Sequence, residues 1–223
     1  MIRKLLIVLI LSMVTLLPSP AKSVVSTDSI TARRAFVEMP ATVLDLLSKS
    51  SRLDMLDFFD VDSIYRAVNA LEGFSYLEKV TPDYLKVVVT PVSTLQFKIL
   101  KDKKGNELVM TIYTVGGESD AKDSDIRFFN AELEELDRSK LLKLPLLKDY
   151  FNIPRGDKTA LNEIEQLVPF STVEFEAAPA SNIVTGKLTV GNFMSQEDYG
   201  IVRRYERSGI SLVWDGKTLS PVR

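Results

Sequence analysis

Between Tyr84 and Val115 the chain alternates. Leu95, Phe97 and Ile99 interleave with Thr94, Gln96 and Lys98, and beyond the polar run KDKKGNE the alternation resumes at Leu108, Met110 and Ile112. Successive side chains of a strand point to opposite faces, so this period reads as two half-buried strands. Gly105 and Asn106 between them suit a chain reversal. An isolated hairpin is marginal in water, so these strands are expected at the centre of a larger antiparallel sheet.

The flanking segments set what that sheet packs against. ITARRAFVEM, from Ser29, has helical character and is broken by Pro40. ATVLDLLSKS reads as a second short helix presenting Val43, Leu44 and Leu47. Ser51 and Asp54 form a capping box ahead of LDMLDFFD, which turns Leu53 and Leu56 inward, with Phe59 or Asp60 following. Val61 to Leu71 reads as a further helix, with Ile64, Val68 and Leu71 at helical spacing and Gly73 as its stop. FSYLEKV and YLKVVVT are strands joined by Thr81, Pro82 and Asp83, and Pro91 requires a strand end. The polar loop GGESDAKDSD precedes a last strand, IRFF, and LLKLPLLKDYF is apolar but irregular around Pro145.

Composition turns polar between Asn152 and Lys158, where a boundary is placed. The helix TALNEIEQLV, the strands STVEFEAA and NIVTGKLTV, and a helix capped by Ser195 follow. ISLVW and KTLSPV flank Asp215-Gly216, a strong hairpin signal. The expected fold is therefore α+β. Residues 22–151 form N-terminal helices packed on an antiparallel sheet, and residues 152–223 form a smaller α+β half.

Two absences bound the chemistry. Among 223 residues there is no histidine and no cysteine. An imidazole general base, a Ser/His/Asp triad, a thiolate nucleophile, a disulfide and histidine- or thiolate-held metals are thereby excluded. Carboxylate chemistry, a Ser/Lys pair and hard cations on oxygen ligands stay open. Glu118, Asp120, Asp123 and Asp125 are the densest set of oxygen ligands and the candidate calcium site. They miss the EF-hand pattern, since the sixth position from Asp120 is Asp125 and the twelfth is Ala131. Ser119 and Lys122 have the spacing of serine/lysine acyl enzymes but no helix to hold them. Gly216, Lys217 and Thr218 echo a phosphate loop without its earlier glycine or its helix. No cofactor is expected. Basic and acidic residues number 28 and 30 without a basic stripe, which argues against nucleic acid.

Aromatic residues on an open face would mark a binding surface, and Tyr84, Phe129 and Trp214 are the candidates. Phe128 and Phe129 must point to opposite faces, so both faces of their strand need cover, one from helices and one from the second half.

Three segments, SRLDMLDFFD, LEKVTPDYLKVVVTPVSTLQFKIL and DSDIRFF, resemble a family of secreted proteins of unknown function from Gram-negative gut anaerobes. The resemblance spans the chain from about Ser29. It implies export and supplies no active-site residues.

Arg3 and Lys4 precede an apolar run from Leu5 to Leu17, followed by Pro18, Ser19, Pro20 and Ala21. The run is short of the ~20 residues that span a bilayer, and it fits a cleaved secretory signal over residues 1–21. The expectation is a periplasmic or secreted, non-enzymatic binding protein whose partner is a protein or glycan of the cell envelope, without stable membrane insertion after cleavage. The alternative is a carboxylate-dependent hydrolase acting on glycans or peptidoglycan. Cleavage before Lys22 removes Arg3 and Lys4 and takes the formal net charge from -2 to -4. Intact-mass measurement of the exported protein is expected to show residues 1–21 missing, and a mass that includes them refutes the cleavage.

Overall fold

A computed structural model describes residues 29–63 and 65–222. The segment read as an export signal, and Ile64, lie outside the described residues.

Two antiparallel meanders make up the frame. The larger sheet runs in chain order through β1 (Ala67–Val68), β2 (Phe74–Val80), β3 (Tyr84–Thr90), β4 (Ser93–Lys101), β5 (Glu107–Val115) and β6 (Asp123–Phe129). The smaller holds β7 (Val173–Ala177), β8 (Ile183–Leu188), β9 (Ile210–Trp214) and β10 (Leu219–Pro221), again in sequential order. Helices α1 (Ala32–Glu38) and α2 (Lys49–Asp60) cover one face of the larger sheet. The smaller sheet, with α3 (Lys158–Leu167) and α4 (Gln196–Val202), covers the other. The fold is α+β, with helices on an antiparallel sheet and a smaller C-terminal half.

Register across the central hairpin explains why both faces are covered. β4 and β5 pair Leu95 with Tyr113, Phe97 with Thr111 and Ile99 with Val109. On the opposite face Gln96 lies beside Ile112, Lys98 beside Met110 and Leu100 beside Leu108. Directly opposed residues share a face. The apolar set of β4 therefore faces the helices, while that of β5 faces the smaller sheet. The strands are buried on both sides, not half-buried, and Gln96 and Lys98 are buried polar residues. Phe129 and Phe128 divide in the same way, Phe129 into the helix-side core and Phe128 into the core shared by the sheets.

Burying a glutamine amide costs free energy unless it is hydrogen-bonded. Gln96 meets that requirement by reading the edge of β7. Its Nε2 donates to the Phe175 carbonyl at 3.0 Å, and its Oε1 accepts from the Ala177 N–H at 2.9 Å and from the Tyr84 hydroxyl at 3.3 Å. Ser124 Oγ accepts the Phe175 N–H at 2.9 Å and Asp123 accepts the Val173 N–H at 3.2 Å. Lys98 extends the seam with 2.7 Å bonds to Asp83 and to the Pro179 carbonyl. β7 is an edge strand, and its outward N–H groups at Val173, Phe175 and Ala177 end on side chains of the larger sheet. Gly186 on β8 completes the packing, because a Cβ there would lie 2.5 Å from the Phe175 ring.

On the helix face, Phe36 of α1 meets Phe97 edge-to-face at 5.9 Å. The guanidinium of Arg52 on α2 is buried and closes the end of α1, donating to the carbonyls of Phe36, Val37 and Met39 at 3.0, 3.0 and 2.7 Å and to that of Leu47 at 3.1 Å. Such terminal carbonyls have no partner within their own helix. Burial pulls the Arg52 guanidinium below its ordinary range, partly countered by Glu38.

Three local expectations give way here. ATVLDLLSKS forms one turn after Pro40 and no helix of its own, its last two residues opening α2, and it still buries Leu44 and Leu47. α2 begins three residues before its expected start, capped by Ser48, whose Oγ accepts the Ser51 N–H at 3.1 Å. This phase turns Arg52, Met55 and Leu56 inward and leaves Leu53 exposed. The described residues between Val61 and Leu71 form turns and the short β1 instead of a helix, with Val68 and Leu71 exposed. Asn69 imposes the turn: its Oδ1 accepts the N–H groups of Leu71 and Gly73, and its Nδ2 donates to Ser75 and to the Val89 carbonyl.

Gln96→Leu keeps the volume and orphans the Phe175 carbonyl and the Ala177 N–H. Each orphaned buried group costs about 1–3 kcal/mol. Urea denaturation of this variant is expected to shift to lower midpoint by that amount or more, whereas Lys104→Ala at the hairpin tip stays within about 0.5 kcal/mol of the parent.

Candidate functional site

A large concavity lies on the outer face of the smaller sheet, as an open groove of 1310 Å³. Alternation along β8, β9 and β10 puts Val184, Leu212, Trp214 and Leu219 into the core, and therefore Ile183, Ser211, Val213 and Ser220 onto the opposite face, which floors the groove. One wall is the irregular segment around Pro145, which carries Lys143, Leu146 and Lys148. Backbone bonds hold that wall against β10: the Leu219 N–H donates to the Leu141 carbonyl at 2.8 Å, and the Lys143 N–H to the Leu219 carbonyl at 2.9 Å. The other wall carries Arg207, whose N–H donates to the Tyr150 carbonyl at 2.8 Å.

Charge is uneven in this groove. Lys143, Lys148 and Arg207 are exposed, and among the described residues their side chains have no hydrogen-bonded or ion-paired partner. The single acid of the lining, Asp149, is engaged, accepting the Leu146 N–H at 2.8 Å. Leu146 and Val222 stand exposed at the rim. A floor of two apolar and two hydroxyl side chains, with three uncommitted cations on a chain of net negative charge, suits an acidic, partly apolar partner.

The aromatic candidates are elsewhere and inside. Tyr84, Phe129 and Trp214 are only 1%, 2% and 3% exposed, so none of them offers surface to a ligand. Each was an alternating strand residue whose apparent open face is covered. Burial, with Glu176 and Glu78 nearby, pushes the Tyr84 phenol above its ordinary range. Trp214 stacks on Phe128 at 6.0 Å, and its Nε1 donates to the Lys101 carbonyl at 2.7 Å.

The acidic candidates do not converge. Asp120 accepts the Gly117 N–H at 3.1 Å, Asp123 is committed to β7, Asp125 is ion-paired with Arg138, and Glu118 is exposed. Asp123 and Asp125 belong to β6, which starts three residues earlier than IRFF suggested. Among the described residues no group of three or more acids is placed to hold a metal ion. Carboxylates whose titration the fold displaces move down: Asp60 through the Arg33 hydrogen bond, Glu107 through Ser29, Glu135 through Arg127. In Asp83 burial acts upward but the bond and charge of Lys98 outweigh it. A general acid working near neutrality requires the opposite displacement.

The groove residues were not singled out from sequence. LLKLPLLKD does carry a signal, lysines set among leucines around a helix-breaking proline, which leaves apolar and cationic groups together on an irregular strap. Arg207 carries no such signal, since its neighbourhood exists only once Tyr150 and Phe151 bridge to the 205–207 segment.

A family model described as a protein of unknown function, DUF3256, matches residues 24–219. The chain belongs to that family. No curated protein matches it. A solved domain of an uncharacterized protein from Porphyromonas gingivalis W83 is similar, with a TM-score of 0.73 at 16% identity over 85% of this chain and 96% of that one. At that identity the likeness concerns the fold alone.

Because Trp214 is the sole tryptophan, its fluorescence reports on this placement. Emission is expected to be blue-shifted and resistant to acrylamide quenching in the folded protein; a water-like, readily quenched spectrum contradicts the buried indole.

Proposed function

We propose that this DUF3256 member is an exported, non-enzymatic binding protein that holds an acidic segment of a partner protein in the groove of its smaller sheet. The observation that carries this reading is the set of three unpartnered cations, Lys143, Lys148 and Arg207, above a floor that includes Ile183 and Val213. Extended acidic segments with alternating apolar side chains fit such a surface, one face on the floor and carboxylates toward the rim. The leader-like residues 1–21 support an envelope or extracellular setting for the partner.

An array of extended peptides in which Asp or Glu alternates with Leu or Val tests the groove. Binding is expected for the acidic set and not for its Lys-substituted counterpart, with affinity falling as salt screens the contacts. Reversing the three cations together (Lys143→Glu, Lys148→Glu, Arg207→Glu) is expected to weaken binding at least about tenfold, or roughly 1.4 kcal/mol, without moving the thermal midpoint. Indifference of binding to this triple change, or to salt, rejects the reading.

A further inference from the structure

At the other end of the smaller sheet lies a second, smaller hollow of 200 Å³ that differs from the basic groove in chemistry. Its walls are built from β7 and β8, the short turn at Val190–Asn192 and α4, and they are lined largely by polar groups. Two polar pairs are closed within it. Lys122 donates to Glu174 at 2.9 Å, and the Tyr199 hydroxyl donates to Glu206 at 3.0 Å. Burial, with the Glu206 carboxylate, pushes the Tyr199 phenol above its ordinary range and keeps it a donor. Lys187 and Glu118 complete the lining and have no side-chain partner among the described residues.

The hollow is held open by close packing. Gly191 lies against the Tyr199 ring, where a Cβ would come within 2.5 Å, so the ring is fixed at the wall. Asn192 is anchored through its Nδ2, which donates to the Asp120 carbonyl at 2.7 Å, and among the described residues its Oδ1 has no hydrogen-bond donor. Thr189 is tied to the Lys122 carbonyl at 2.6 Å and to the Thr172 hydroxyl at 2.9 Å.

The chain brings two exposed aromatic rings within two residues of Asn192 and Thr172, which are bonded into this wall. Phe193 follows Asn192 directly, Phe170 lies two residues before Thr172, and the two rings stack with centroids 5.2 Å apart and planes 16° from parallel. They are 45% and 60% exposed. Solvent-facing apolar clusters of this kind mark contact sites.

We infer that this hollow and its phenylalanine pair form a saccharide-binding site, accepting one sugar ring in the hollow with its neighbour along the aromatic pair. Each hydroxyl of a sugar both donates and accepts, and the lining offers donors (Lys187, Lys122) interleaved with acceptors (Glu118, Glu206, Asn192). The lining sets two lysines against three glutamates, a slight net negative charge that separates this hollow from the cationic groove. Sugar rings also present an apolar C–H face, which an exposed aromatic surface can cover. The site is independent of the groove, and either can fail without the other.

Backbone amide shifts of the full chain, followed while titrating chitotriose, maltotriose and mannotriose to about 10 mM, test the assignment, since a millimolar Kd is then saturable. At least one trisaccharide is expected to move the Gly191, Asn192 and Phe193 amides. Phe193→Ala is expected to weaken that ligand about three- to tenfold with an unchanged thermal midpoint. Glu206→Gln serves as a second probe from the polar wall, and the triple groove variant is expected to bind the sugar normally. No shift with any of the three sugars overturns the proposal, as does binding that Phe193→Ala leaves intact. A concentration-dependent dimer abolished by Phe193→Ala also overturns it, assigning the ring pair to self-association.

Discussion

The docking of β7 on the polar side of β4 is the interaction on which the rest of the architecture depends. An edge strand presents backbone groups that must find partners or water, and here the larger sheet supplies them with side chains. Gln96 takes a carbonyl and an N–H two residues apart, matching the repeat of a strand, while Ser124 and Asp123 take the next two donors outward. That match fixes the register of the smaller sheet on the larger without any strand of one pairing with a strand of the other. The shared core from Tyr84 to Leu219 can then close around it. Both grooves follow: once the inner faces are committed, the outer face of the smaller sheet and its far end are what the fold leaves open.

The opposite face obeys a similar logic with one residue. Among the described residues Arg52 is buried without a carboxylate partner within hydrogen-bonding reach, and its donors are spent on four backbone carbonyls. An uncompensated buried cation would be costly. Carbonyl dipoles at the end of α1 offset that cost and simultaneously join the two helices. Two buried polar residues, Gln96 and Arg52, thus specify how the layers meet, while the leucines, valines and phenylalanines supply most of the burial free energy.

Much of the fold was legible because it follows from local periods. The strands from Phe74 to Val115, the α3 helix with Ile164 and Val168 buried, the Ser195 cap and the Asp215-Gly216 hairpin all lie where alternation, capping and turn chemistry place them. What misled was local pattern without tertiary context. Val61 to Leu71 has helical spacing, yet Asn69 can satisfy four backbone and side-chain partners only as a turn. The capping signal at Ser51 was real in kind, but Ser48 won because that phase buries Met55 and Leu56. Tyr84, Phe129 and Trp214 were candidates for a surface because an alternating strand reads as half-exposed, and the second sheet was not visible in the pattern.

By itself, then, the sequence determined most of the elements, the α+β class and the catalytic chemistries ruled out by lacking imidazole and thiol groups, since these depend on residue type and on spacing along one strand or helix. Only the tertiary structure decided which face each strand turned to which neighbour, because register across a hairpin depends on turn geometry and a shift of one residue exchanges the faces. For the same reason it alone decided that Lys143, Lys148 and Arg207 meet over one floor, and that Phe170 and Phe193 meet beside one hollow, since residues far apart in the chain become neighbours only when the layers pack.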